Sequence, residues 1–409
     1  MKKILIVLNH QPKIPPFMLT ALNCAKERYD EVHYVNTKYP QFADLYSKDK
    51  NVHFSQPNAL ERKTAILRAI FSFFTPIVLS DFYKCIKEKG FHLHILKIFL
   101  RGLSADECIR PIAVKIIDKY PQERITVLST WLSACAFSAA QLKRKHGNIK
   151  AVSMAHSYEI LISRNPLVRY QFVDFKHKYL DGIYFIANTV RQMYIDGVGP
   201  MAEDYLNRMH VCHLGSYKAS SNLNKTEPDV FNVCSCSRVI PLKRIDVLID
   251  ALRGWKYGKL CWTHMGNGVI FDEIKVEAEK LQNPMVQINL KGFVPNSEVE
   301  EYYANNPVDV FVNLSSIEGL PISIMEAVSY GIPVIATDVG GTKEIVTPEV
   351  GVLLPGDITP QKVLNALREF YEKSETERNT LRNSAYGYWK KHFDAANNLN
   401  LLFDQIDSI

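Results

Sequence analysis

The sequence predicts an α/β protein made of two doubly wound, Rossmann-like domains facing each other across a cleft. Three observations carry this. Short apolar, β-branched runs alternate with helical patterns along almost the whole chain; strand, helix, strand at this spacing gives βαβ units and a parallel sheet covered on both faces. One polar, non-periodic stretch, KASSNLNKTEPD at 218–229, interrupts the alternation and reads as a linker. The 409 residues suit two to three domains at roughly 150 residues each, and 47% apolar with 22% charged residues is an ordinary globular composition.

Each element follows from its own pattern. In the second half, strands are expected at 231–236, 259–265, 286–290, 308–313, 332–337 and 351–354. Helices are expected between them at 243–252, 269–281, 297–304, 321–330 and 361–371. The first half repeats the pattern with strands at 3–8, 31–35, 125–128, 151–154 and 182–186. The tail, 389–409, reads as a helix offering Phe393, Leu399, Leu402 and Ile406 for docking. The expected organisation is a first Rossmann-like domain at 1–218, a linker at 219–229, a second domain at 230–388 and a helix at 389–409 returning to the first domain.

Charge and cysteines narrow the function classes. The net charge of +6 is too small to demand a nucleic-acid partner. The eight cysteines form no C-x-x-C pair, so they read as buried small hydrophobes in a reducing cytosol rather than a disulfide framework or zinc site. The apolar run at 4–8 is shorter than a signal-peptide core and reads as a buried strand. The uncharged run at 125–142 reads as a strand entering a buried helix. The segment 60–103 stands apart. From Glu61 to Arg101 it holds eight basic residues and three acids, interleaved with Ile66, Leu67, Ile70, Phe71, Phe73 and Phe74. Amphipathic helices with basic polar faces suit an anionic membrane surface. The expected location is cytoplasmic and peripheral, on the inner face of the plasma membrane.

The most informative stretch is SSIEGLPISIMEA at 315–327. It follows an apolar strand, and Pro321 suits the first turn of a helix, where a missing N–H costs nothing. Gly319 lets backbone approach a ligand. The free N–H groups of Leu320, Ile322 and Ser323, with the positive end of the helix dipole, make an anion site. Glu318 and Glu326 flank it, an arrangement suited to a ligand with hydroxyls on both sides of a phosphate. Arg238 and Lys243, in SRVIPLK at 237–243, supply two positive charges for a diphosphate. His92 and His94 have no third ligand at metal-binding spacing, and Gly340-Gly341 reads as a plain tight turn beside the cleft.

Glu318 and Glu326 form an E-x7-E motif, and EGLPISIMEAVSYGIPVIATDVGGTKEIV closely resembles the family-4 retaining glycosyltransferases of GT-B fold. SRVIPLKRIDVLIDAL at 237–252, MGNG at 265–268 and KGFVPNSEVEEYY at 291–303 extend the likeness over about 130 residues. In the first half, Ser129-Thr-Trp131, Ala155-His-Ser-Tyr-Glu159 and Phe185-Ile-Ala-Asn188 resemble segments of the bacterial surface-polysaccharide members.

The resemblance implies a hexosyltransferase-like, retaining enzyme. It would move a sugar from a UDP- or GDP-linked donor to the hydroxyl of a saccharide or lipid-linked saccharide, with no resident cofactor. Arg238 and Lys243 would hold the donor pyrophosphate, Glu326 the ribose hydroxyls and Glu318 the sugar hydroxyls. Gly319, Leu320, Pro321 and Ile322 would line the anion site, Gly292, Phe293 and Val294 would border the base, and His156 would stand across the cleft near sugar and acceptor. Three positions depart from the family pattern. The loop Asn9-His-Gln-Pro-Lys-Ile-Pro-Pro16 lacks a glycine pair, Asn188 stands for the usual Ser, and Glu159 for a common Asp. No D-x-D occurs, so metal-independent transfer is expected. Two rival readings are a GT-B sugar-nucleotide epimerase and a non-catalytic membrane-bound module.

Overall fold

The computed structural model describes residues 1–11, 17–38, 40, 42–160, 171–218 and 229–409, with Met201 described by its backbone alone. Positions 12–16 of the first loop and 219–228 of the expected linker lie outside the described residues. The chain divides into two compact units, Met1–Cys212 with Leu399–Ile409, and His213–Asn398.

Unit 1 is built on seven strands: β1 Lys3–Asn9, β2 Glu31–Asn36, β3 Val52–Ser55, β4 Arg124–Ser129, β5 Lys150–Ala155, β6 Gly182–Phe185 and β7 Met209–Val211. All pair in parallel in the order β3-β2-β1-β4-β5-β6-β7. The sheet interior is a run of apolar side chains; residues 4 to 8 of β1 are at most 1% exposed, as a central parallel strand covered on both faces requires. The strands β3 and β7 are absent from the sequence expectation. Each has only three or four residues at a sheet edge, too short for an alternation to register.

Unit 2 carries β8 Phe231–Cys236, β9 Leu260–Met265, β10 Val286–Leu290, β11 Val310–Asn313, β12 Val334–Thr337 and β13 Gly351–Leu354. They too are all parallel, in the order β10-β9-β8-β11-β12-β13. In such sheets the strand order reverses once, and ligands settle at the carboxyl ends of the strands there. The reversal lies between β1 and β4 in unit 1, and between β8 and β11 in unit 2.

The last helix, Ala395–Ser408, buries Leu399, Leu402 and Ile406. Its unit 1 portion is held by charge as well: Lys3 Nζ lies 2.8 Å from Asp407 Oδ2, and Arg28 donates to Asn400 Oδ1 at 3.2 Å and pairs with Asp404. All eight cysteines are free. The run at 125–142 forms β4 followed by the buried helix Ala134–Lys145.

The segment 60–103 forms the helices Ala59–Phe73 and Pro76–Lys89 and the first part of Leu93–Lys119. Arg62, Lys63, Arg68, Lys84, Lys87, Lys97 and Arg101 are exposed, and two of them are paired, Arg68 with Glu107 and Lys84 with Asp174. The same outward faces also expose large apolar side chains, among them Leu67, Phe71 and Phe74.

Candidate functional site

In unit 2 the chemistry gathers at the strand reversal. Arg238 leaves the end of β8 with an exposed side chain that makes no hydrogen bond or ion pair among the described residues. Five residues on, Lys243 ends the short 3-10 turn Pro241–Lys243. Its Nζ lies 2.5 Å from Glu318 Oε1. Glu318 is fixed from a second side by β11, where Asn313 Nδ2 donates to Oε1 at 3.3 Å. The Ser315 hydroxyl lies 2.6 Å from both Glu318 Oε1 and Asn313 Oδ1, and its single proton serves one at a time.

Beyond Glu318 the helix Ile322–Ser329 begins after Pro321 with no side-chain cap. The N–H groups of Ile324 and Met325 turn back to the Pro321 carbonyl at 3.2 and 3.4 Å. The first-turn N–H groups of Ile322 and Ser323 have no partner within the helix, so with the dipole they form a positive end. Pro321 at the helix start is the residue that costs nothing there.

Glu326 lies one turn into this helix and is only 8% exposed. Burial pushes its carboxyl up to about 7; a hydrogen bond with Asn296 opposes that rise and Glu300 adds to it. The free protein therefore holds this group substantially protonated at neutral pH, a neutral acid able to donate and, once ionised, a strong acceptor. Gly292, Phe293 and Val294 follow β10; Phe293 is 77% exposed, and the Gly292 carbonyl accepts from Gly266 N at 2.7 Å.

Two features of this site were not legible as functional. Arg244 adopts the left-handed conformation with φ 49°. Its guanidinium donates to the carbonyls of Leu314 at 2.7 Å, Ser315 at 2.9 Å and Gly356 at 2.7 Å. It thereby ties the Glu318 loop to the turn carrying Lys243. Gly340, expected as part of a plain tight turn, packs its backbone on the Glu318 carbonyl, where any Cβ would collide, and has φ +55°. Gly341 N donates to the Gly319 carbonyl at 2.7 Å. The signals were present as the basic pair Lys243-Arg244 and the glycine pair, but neither declares its partner in sequence.

In unit 1, His156 follows β5 and lies against Trp131, with ring centroids 4.4 Å apart. Burial lowers its imidazole to about 4, so it is neutral at pH 7. Nε2 lies 3.0 Å from the Thr130 carbonyl, which can only accept; Nε2 carries the proton and Nδ1 is left as an acceptor. Glu159 takes the His156 backbone N–H at 3.0 Å, and burial pushes its carboxyl up to about 8. Asn9, at the end of β1, accepts from Thr130 Oγ1 at 3.0 Å and Trp131 Nε1 at 3.2 Å. Among the described residues one cluster has metal-ligating character, Glu31, His33 and His53. Glu31 stands at the amino end of β2, away from the strand carboxyl ends, and its carboxylate is already engaged by His53 Nε2 at 2.6 Å and Lys2 Nζ at 3.3 Å.

Two outcomes follow for the free protein. A carboxyl raised from 4.5 to about 7 adds stability below its unfolded pKa and loses it as pH rises through the folded one. Glu326→Gln should therefore gain on the natural protein between pH 4.5 and 8 by about 3 kcal/mol; urea unfolding at both pH values checks this, and a pH-independent difference contradicts it. Gly340→Ala should cost about 1–3 kcal/mol in the same assay, whereas the exposed Gly147→Ala should cost little.

Residues 216–387 match the family described as Glycosyl transferases group 1. Over 325 residues the chain is 23% identical to the amylovoran biosynthesis glycosyltransferase AmsK of Erwinia amylovora, covering 76% of this chain and 75% of that one. Over 119 residues it is 31% identical to a GDP-mannose-dependent alpha-mannosyltransferase of Mycobacterium tuberculosis, covering 29% and 28% of the two chains. The crystal structure of Anabaena HepE in complex with UDP superposes with a TM-score of 0.67 at 16% identity, covering 100% of both chains. Residues 216–387 are thus similar to the glycosyl transferases of group 1, and the two parallel sheets of the chain carry the GT-B fold.

Proposed function

We propose that this protein is a retaining glycosyltransferase that moves a sugar from a UDP- or GDP-linked donor to an acceptor hydroxyl in bacterial surface polysaccharide or glycolipid assembly. The carrying observation is the grouping at the β8 and β11 ends: an unengaged Arg238, the Lys243–Glu318 pair, an uncapped helix N-terminus and the buried Glu326. A nucleotide sugar presents two negative charges at the diphosphate with hydroxyls on either side. That is the complement of this set. The names of the relatives, an amylovoran biosynthesis glycosyltransferase and a GDP-mannose-dependent alpha-mannosyltransferase, support the same reading.

Arg238, Lys243 and the N–H groups of the Gly319–Ile322 segment hold the diphosphate and stabilise the charge it gains on leaving. Lys243 turns from Glu318 toward the phosphate, and the released Glu318 carboxylate accepts from hydroxyls of the sugar. Glu326 takes the ribose hydroxyls, and Gly292, Phe293 and Val294 border the base. In the transfer, the bond from the anomeric carbon to the phosphate oxygen breaks while the acceptor oxygen bonds to that carbon on the same face. The acceptor proton passes to the departing phosphate oxygen, so retention needs no enzyme nucleophile. His156, neutral and with Nδ1 open, serves as a hydrogen-bond acceptor for a hydroxyl rather than as a cation. The acceptor is a saccharide or lipid-linked saccharide, met at an anionic membrane surface through residues 60–103.

The two glutamates separate under titration. Glu326→Ala should weaken the nucleoside diphosphate and the nucleotide sugar alike, by about ten- to a hundredfold for one lost charge-assisted hydrogen bond. Glu318→Ala should spare the nucleoside diphosphate while reducing nucleotide-sugar affinity or turnover. Calorimetry of both ligands against both variants checks this; equal loss of the bare diphosphate in both would reverse the assigned orientation. Transfer is expected to persist in EDTA, because the cations and the helix end neutralise the leaving group. Complete loss restored by Mn²⁺ or Mg²⁺ would contradict that.

A further inference from the structure

Ten of the 23 exposed large hydrophobic side chains among the described residues fall between positions 60 and 93 of unit 1. Single exposed apolar residues are ordinary; a concentration of this kind marks an interaction surface.

The helix Ala59–Phe73 is apolar on two sides, with the sizes inverted. Its inward side buries the small Ala65 and Ala69, at 0 and 2% exposure, with Phe73 at its end packed against the same core cluster. Its outward side carries Ile66, Leu67, Ile70 and Phe71, continued by Phe74 just past its end, an arc of roughly 140° at the helical period. Leu67 is 60% and Phe71 77% exposed. Burial within the unit does not account for large residues placed outside and alanines inside. The next helix, Pro76–Lys89, continues the surface with Leu79 and Tyr83 four residues apart, and with Lys87 four further on. Lys63, Lys87, Lys97 and Arg101 are exposed and make no ion pair among the described residues. The surface is thus apolar with an unneutralised positive margin.

We propose that the outer face of these two helices lies flat in the interface of an anionic lipid bilayer, its apolar stripe among the upper acyl chains and its lysines at the headgroups. The proposal deepens the membrane reading above and rests on it. Charge complementarity selects the occupant: the free cations lie beside the apolar stripe, the arrangement that anionic headgroups over acyl chains satisfy.

Neither helix is long and apolar enough to span a bilayer alone. The first helix has 15 residues, about 22 Å long against a hydrocarbon core of about 30 Å. The pair would be long and apolar enough only together, and it bends by 73°. Ala69 and Val78, on the inward sides, are also committed to a core cluster with Phe99 and Phe137. The helices can therefore lie on a membrane without leaving the protein.

The test is flotation of the full chain with vesicles of phosphatidylcholine containing about 30% phosphatidylglycerol, beside phosphatidylcholine alone. Calorimetric binding of UDP and GDP is followed separately without vesicles. The natural protein should float with the anionic vesicles and less with the neutral ones. Leu67→Ser with Phe71→Ser should reduce partitioning about tenfold or more for each side chain, with nucleotide binding unchanged. Phe71→Trp should add a fluorescence component that blue-shifts on the anionic vesicles and is quenched by brominated acyl chains. No flotation of the natural protein overturns the proposal, and retained nucleotide binding would then leave the enzymatic reading standing. Flotation untouched by the double variant overturns the assignment to this face. Self-association in solution that the double variant abolishes, without flotation, assigns the face to a second copy and likewise overturns it. Loss of nucleotide binding by the natural protein sinks the enzymatic reading alone.

Discussion

The loop between β11 and the helix Ile322–Ser329 is the constraint on which the site depends. Its carbonyls are held from three directions. Arg244 takes those of Leu314 and Ser315, the Thr337 hydroxyl also donates to Ser315, and Gly341 takes that of Gly319. Ser316 N is fixed in turn on the Leu242 carbonyl at 2.8 Å. A loop so held places Glu318 against Lys243 and fixes the helix N-terminus beside them in advance, and a fixed dipole of that kind is what stabilises a developing anion most. The left-handed backbone at Arg244 and the missing Cβ at Gly340 are the local departures that permit it.

The two carboxyl groups of the motif differ because their surroundings differ. Glu318 has a cation, an amide and a hydroxyl within hydrogen-bond distance. Glu326 is buried beside another acid, Glu300, with Asn296 as a polar partner. One is held by three polar partners and the other is buried with its carboxyl raised, so two residues of the same type offer different surroundings eight positions apart. In unit 1 burial does the corresponding work at His156, removing its charge and leaving a hydrogen-bond acceptor.

Much of this was legible in the sequence because parallel strands in such sheets are continuous apolar runs, and eleven of them declare themselves at the expected spacing. The short edge strands Val52–Ser55 and Met209–Val211 do not, since three or four residues carry no period. Glu318, Glu326, Arg238 and Lys243 were readable because their spacing on a strand-turn-helix unit fixes which sheet edge they occupy. The ion pair between Lys243 and Glu318 was not, because it joins positions 75 residues apart. The roles of Arg244 and Gly340 escaped for the same reason: each acts on a backbone carbonyl far along the chain. In the 60–103 segment composition was informative but orientation was not. The counted charge suggested basic faces; composition did not show that Glu107 and Asp174, distant in sequence, engage two of those cations, nor that Leu67 and Phe71 share the exposed surface with the rest.

The proposed function turns on whether the buried Glu326 receives the donor. Hydroxyls donating to its carboxylate favour the ionised form, so binding must pull its carboxyl down from about 7 and release a proton. Calorimetric titration of UDP-glucose and GDP-mannose at about pH 6.5, in two buffers of different ionisation enthalpy, measures that proton directly; neither ligand titrates a phosphate of its own there. The account predicts that the ligand that binds releases up to about one proton per site, and that Glu326→Gln abolishes the release. Binding with no proton exchange, or with the same exchange in Glu326→Gln, would contradict it.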